Sequence, residues 1–115
     1  MTWKLFLDDE RNPTEDGYII ARSSPMAVIA VVQRDELPSF MSLDHDLGET
    51  DTTMIFLKEL HHIWEEKGAD PNDIPDFVVH SANPIGTENI ISFMKSWKKV
   101  AELGRHATEN ANDNS

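Results

Sequence analysis

The sequence predicts an α/β domain: a small doubly wound parallel sheet of about four strands. Three observations predict it. Short apolar segments alternate with longer stretches of helical period, the pattern of strand–helix–strand units joined by right-handed crossovers. The length, 115 residues, suits one domain with a core of its own. Three of the four apolar segments end in polar, reactive residues, and the carboxyl ends of parallel strands are where such sheets bind ligands.

The first strand is read over Trp3 to Leu7, ending abruptly in Asp8-Asp9. The second, Tyr18 to Ala21, follows the turn-like Asn12-Pro13 and Asp16-Gly17. The link between them leaves room for a single turn over Asn12 to Asp16 and not for a helix. Ser24-Pro25 reads as an N-cap with proline at the first helical position. The helix then runs from Met26 to Glu36 with Ala27, Val28, Val31 and Val32 inward, and Pro38 ends it. Its β-branched residues are poor helix formers, so packing must hold it. The third strand is Phe40 to Leu43, ending in Asp44-His45-Asp46. A second helix, Thr53 to Lys67, sets Met54, Phe56, Leu57, Leu60, Ile63 and Trp64 on one broad face, with Gly68 as its stop. The fourth strand, Phe77 to Val79, ends in His80-Ser81. The first and fourth strands carry largely continuous apolar runs, as strands covered on both faces do. The last helix is read from about Thr87 to Leu103, with Ile90, Met94, Trp97 and Ala101 as its stripe and Gly104 as its end. Residues 106–115, polar and Asn-rich, read as a disordered tail beyond a single domain, 1–105.

Composition narrows the function. A net charge of −11 argues against a broad nucleic-acid surface and against anionic membranes. The absence of cysteine excludes disulfides and Cys-ligated zinc. No apolar run approaches the roughly 20 residues of a membrane span. Met1 to Asp9 does not read as a signal peptide. The expectation is a soluble cytoplasmic protein.

Three motifs carry chemistry. In Asp8-Asp9-Glu10-Arg11-Asn12-Pro13 the carboxylates suit Mg²⁺ or Mn²⁺, which take oxygen ligands, or form a solvated acidic turn. Arg11 can clamp a phosphate or pair with a carboxylate. In Ser42-Leu43-Asp44-His45-Asp46-Leu47-Gly48 Asp44 is placed to complete a metal site with Asp8 and Asp9. Asp46 can ligate, orient a histidine or cap a turn. His45 can act as base, acid or ligand. In His80-Ser81-Ala82-Asn83-Pro84 a histidine closes an apolar strand at the ligand-binding edge. Ser81 and Asn83 either donate to phosphate oxygens or satisfy their own loop. His61-His62 are helix neighbours that do not face each other and read as surface. His106 reads as inert, and Trp64 and Trp97 as core.

These motifs resemble the acidic pocket of response-regulator receiver domains. More specifically, Leu7 to Pro13, Ser42 to Gly48 and His80 to Pro84 together resemble the receiver-derived family named for cyclic-phosphate processing, over roughly Leu5 to Met94. The resemblance implies Mg²⁺ on Asp8, Asp9 and Asp44, with Asp44 in the position that takes a phosphoryl group and Ser81 contacting it. Ordinary receivers add a fifth strand ending in a lysine, then a fifth helix. This chain has neither, and Lys95, Lys98 and Lys99 are helical. The expected function is a metal-dependent phosphoesterase acting on a cyclic phosphate or cyclic nucleotide. His45 and His80 would divide the base and acid roles, with Asp46 orienting one of them. Arg11, Ser81 and Asn83 would position the phosphate. The alternatives are a receiver-like signalling module phosphorylated on Asp44, and a module that sequesters a nucleotide signal or a protein partner. The partner expected is a small phosphate-containing ligand, with a homodimer through an exposed sheet edge also in view.

Overall fold

The computed structural model describes the backbone of residues 3–113 and the side chains through Gly104. Four strands form one parallel sheet: β1 (Lys4–Leu7), β2 (Tyr18–Ala21), β3 (Phe40–Leu43) and β4 (Asp76–Val79), in the order β2-β1-β3-β4. Three helices follow β2, β3 and β4: α1 (Ser24–Arg34), α2 (Thr53–Glu66) and α3 (Pro84–Asp113). The chain steps one way from β1 to β2 and the other way to β3. The ends of β1 and β3 therefore flank the point where such sheets bind ligands. No fifth strand is present among the described residues.

The core explains the strand sequences. Leu5, Leu7, Ala21, Met41 and Leu43 form one cluster with Ala27 and Val31 of α1, Phe56, Leu57 and Leu60 of α2, and Ile90, Met94 and Trp97 of α3. Fully burying one such leucine is worth about 1.5–3 kcal/mol. Because successive strand residues point to opposite faces, every helix packs on the same face. The opposite face presents Lys4, Phe6, Tyr18, Ile20, Phe40, Ser42 and Val78. Apolar runs suggested cover on both faces, and the described helices cover one. The cause lies in the link from Asp8 to Gly17. It contains bends but no helix, and not even the expected turn over Asn12 to Asp16.

The helix ends also depart from the sequence reading. Ser23, not Ser24, is the N-cap of α1, its Oγ accepting from Met26 N at 3.3 Å; such a cap is worth ~1 kcal/mol. The helix stops at Arg34 because Asp35 adopts a left-handed conformation, φ 51°. Ala30 is buried in α1, whereas Val32, read as inward, is exposed. A 3-10 turn over Pro71–Asp73, closed by a reciprocal Asp70–Asp73 capping box, precedes β4. The helix α3 begins earlier than read, because Asn83 caps it: Gly86 N donates to Asn83 Oδ1 at 3.0 Å and Thr87 N to Asn83 O at 2.9 Å. It also passes Gly104 and runs to Asp113, where the sequence suggested a tail. One glycine costs a helix only about 1 kcal/mol, so the stop signal is overridden. Residues 114 and 115 lie outside the described residues. Trp64 and Trp97 pack with His61 and Phe93 between α2 and α3, Trp97 edge-on to Trp64 at 5.8 Å. His61 and His62 pair with Glu65 and Glu66 on α2. No described helix is long and apolar enough to cross a membrane.

Candidate functional site

The parallel ladder continues one residue past the strands. Asp8 N donates to Ala21 O (3.1 Å), Asp44 N to Leu7 O (2.9 Å) and His80 N to Leu43 O (2.9 Å). Asp8, Asp44 and His80 are thus fixed in one row along the carboxyl edge. The sequence motifs at three strand ends meet because the strands are in register.

Asp8 is the most constrained residue of the row, 1% exposed. Its Oδ1 accepts from Glu10 N and Arg11 N, both at 2.8 Å, and its Oδ2 lies 2.9 Å from His80 Nε2. Burial pushes its pKa up, but the Arg11 and Glu10 amides and the imidazole outweigh it and hold the carboxyl below its usual range. His80 reaches across β3 to do this. Its Nδ1 is 2.8 Å from Ser42 Oγ, and its ring stacks on Phe6 at 4.7 Å between centroids. An ionised carboxylate only accepts, so Nε2 carries the hydrogen, and in the neutral ring Ser42 O–H donates to Nδ1. Both nitrogens of His80 are engaged with protein groups. Ser42, Phe6 and Arg22 were not singled out from the sequence. Arg22 donates to Asp8 O (3.1 Å), Arg11 O and Asn12 Oδ1, and so pins the Asp8–Asn12 turn. A basic residue directly after the end of β2 was the signal available for it.

The other half of the site hangs on the β3–α2 loop. Asp44 Oδ1 accepts from His45 N at 2.8 Å. Buried Thr53, at the start of α2, donates its hydroxyl to Asp44 O and its N–H to His45 O (2.9 Å). Asp51 ties the loop to α1 by accepting from the Ser24 N–H (2.8 Å) and hydroxyl. Gly48 makes the turn at φ +92°, a region side-chain-bearing residues avoid. His45, 12% exposed, sets Nδ1 3.0 Å from Asp46 Oδ1. Nδ1 therefore carries the hydrogen, and Nε2 presents a lone pair in the neutral ring. Among the described residues Nε2 has no partner. The hydrogen bond from His45, then that from Asn83 Nδ2 (3.2 Å), holds the Asp46 carboxyl below its usual range. The ring lies so close to the first turn of α3 that a Cβ on Gly86 would stand 2.4 Å from His45 Cγ. Only glycine leaves that room.

Asp8, Asp9 and Asp44 each bring a carboxylate oxygen within 4.8 Å of one another. Three hard oxygen donors converging at that range suit Mg²⁺ or Mn²⁺, so these residues fit the metal the sequence implied. Arg11 lies at the rim, its Nη1 donating to His80 O at 3.2 Å. Ser81 Oγ accepts from Asn83 N at 3.0 Å, and the Asn83 side chain both caps α3 and reaches Asp46. In this structure Ser81 and Asn83 shape their own loop. The hydrogen of the Ser81 hydroxyl meets no acceptor among the described residues.

No curated protein and no solved structure matches the chain. The family model of the cyclic-phosphate processing receiver domain matches residues 3–96. With its parallel sheet in the order 2-1-3-4 and an acidic cluster at the strand ends, the chain belongs to the cyclic-phosphate processing receiver domain family.

Proposed function

We propose that this domain is a metal-dependent phosphoesterase that opens a cyclic phosphate, such as a 2′,3′-cyclic end or a cyclic nucleotide. Asp8, Asp9 and Asp44 would hold Mg²⁺ or Mn²⁺, which when bound supplies charge neutralisation at the phosphoryl oxygens. The observation that carries the reading is a histidine with an open Nε2, oriented by a carboxylate, directly after a residue of the three-carboxylate cluster. His45 takes the proton of an attacking water at Nε2 while the water oxygen bonds to phosphorus. The ring P–O bond breaks, and the same proton passes to the departing oxygen. Asp46 holds the ring and offsets its transient charge. His80 positions Asp8 rather than sharing proton transfer, since both its nitrogens are bonded. Arg11, at the rim, and the Ser81 hydroxyl would contact the phosphate, with Asn83 fixing the loop that presents them.

A phosphoryl-accepting role for Asp44 has less support. Lys98 bonds Asp76 at the far, amino-terminal end of β4 (3.4 Å), away from the acidic edge where a receiver's lysine acts. The deciding experiment is a product screen against 2′,3′-cyclic nucleotides, 3′,5′-cyclic nucleotides and cyclic dinucleotides with Mg²⁺, with Mn²⁺ and with EDTA. Metal-dependent turnover of one class, lost in Asp44→Asn and His45→Ala, is the expected result. Metal binding without turnover of any would replace the enzyme by a sequestering module.

A further inference from the structure

The acidic edge and the open face of the sheet are one continuous surface. Side chains alternate along a strand, and the ladder runs one residue past β1, β3 and β4. Asp8, Asp44 and His80 therefore stand on the same side as Phe6, Ser42 and Val78, two positions before them. The described helices all pack on the other face. A ligand whose phosphate meets the acidic edge has room to lay its remainder over the sheet.

The His80 ring is the floor of that room. It lies against the Phe6 ring with centroids 4.7 Å apart and planes 9° from parallel. Tyr18 braces Phe6 edge-on at 5.8 Å. Hydrogen bonds with Ser42 Oγ (2.8 Å) and Asp8 Oδ2 (2.9 Å) fix both ring nitrogens, so the ring cannot turn without breaking one. Yet 22% of the side chain stays exposed. The face turned away from Phe6 meets no ring, ammonium or guanidinium among the described residues. Ile20, beside Phe6 in the register and 39% exposed, extends the shelf with an apolar border. Charge alone serves an anionic ligand poorly here, since a net charge of −11 repels it at a distance. Of the two arginines at this edge, Arg22 directs its donors to Asp8 O, Arg11 O and Asn12 Oδ1. A rigid π surface supplies binding that does not depend on charge.

We infer that the outer face of His80 is a stacking platform for a nucleobase, so that the cyclic phosphate opened at this site belongs to a nucleotide rather than to a glycerol or a simple sugar. The inference rests on the phosphoesterase reading and names its substrate class. Stacking on an aromatic or histidine ring is an ordinary way to hold a single unpaired base. It is tolerant of base identity, because every base has a π face. Asp8 joins the two ends of the ligand's path. Its carboxylate belongs to the acidic cluster and bonds the edge of the platform. Phosphate and base thus fall on adjoining surfaces, with the ribose between them.

The test compares 3′-AMP with β-glycerophosphate by calorimetry in Mg²⁺. Both are phosphomonoesters of secondary alcohols, and only the first carries a base. The nucleotide should bind tighter by about tenfold or more, and its base should shift the His80 ring-proton resonances upfield. His80→Phe and His80→Leu both lose the bonds with Ser42 and Asp8, and they differ in the flat ring. The preference for the nucleotide should survive in His80→Phe and fall to near unity in His80→Leu. A merely structural His80 would weaken both ligands in parallel and leave their ratio unchanged. Equal binding of the two ligands by the wild type would overturn the platform and leave the phosphoesterase standing. So would an unmoved His80 ring in the nucleotide complex, or a preference retained in His80→Leu. Binding of neither ligand, with no turnover in the product screen, would overturn both.

Discussion

The two histidines of the site end two neighbouring strands, yet the structure treats them differently. His80 is gripped. Ser42, Asp8 and the Phe6 ring occupy its two nitrogens and one face, and all three partners stand on or directly after central strands. His45 is aimed. One nitrogen is held by Asp46, the ring rests on Gly86, and the remaining nitrogen is open. The strand-held half of the site is thus continuous with the sheet, whereas the loop-held half is oriented by a few contacts around an open atom. A group that must exchange a proton needs the second arrangement, and a group that must hold a buried carboxylate needs the first.

That contrast can be broken experimentally. The largest effect should come from His45→Ala. Under the proposed function, turnover of the cyclic phosphate should fall by on the order of 10²–10⁴, with a stability change of ~1 kcal/mol or less by urea titration. A loss of several kcal/mol would make His45 structural and erase the distinction. Next comes Gly86→Ala. The added methyl group displaces His45, so turnover should fall by about 10²-fold, with no loss of helix content because alanine favours helix. Undiminished kcat would mean that the position of the ring is not critical. His80→Ala should reverse the pattern, lowering stability by about 3 kcal/mol by leaving Asp8 and Ser42 buried without their partner. Ser42→Ala should have the smallest effect on stability, ~1 kcal/mol.

Acid unfolding sharpens the same contrast. The pKa of Asp8 is depressed from its ordinary value of 3.8, so its contribution to stability is complete above that value. It is lost as the pH falls through the lower folded-state value. In EDTA, Asp8→Asn should flatten the acid limb of the stability profile below about pH 4 and leave the neutral region parallel to that of the wild type. An unchanged acid limb would show that the Asp8 carboxyl gains nothing from its three hydrogen bonds.

The strand positions were legible because each segment is bounded by abrupt changes from apolar to charged residues, such as Leu7 to Asp8 and Leu43 to Asp44. The acidic cluster was legible for the same reason, since strand ends in a parallel sheet converge. What stayed hidden depends on distances through space. Phe6 and Ile20 are as apolar as Leu5 and Ile19, so a one-sided cover leaves no mark on strands this short. Ser42 faces the open side of β3, and its role exists only because His80 leans over it. Gly86 carries no motif; its necessity comes from a ring 41 positions earlier in the chain. Asn83-Pro84 is the exception, a start signal for α3 that the sequence contains in plain form.

The bond between Asp8 and His80 joins residues 72 positions apart, nearly the full span from first strand to last. Closing so long a loop carries a large entropic cost before any contact offsets it, and parallel pairings of this kind form slowly. During synthesis, a chain that has emerged only as far as α2 carries all three carboxylates of the cluster and the histidine that follows Asp44. It lacks the residue that holds Asp8 in place. The site can therefore mature only after β4 has joined the sheet, and chains arrested before that point expose an acidic patch without its architecture.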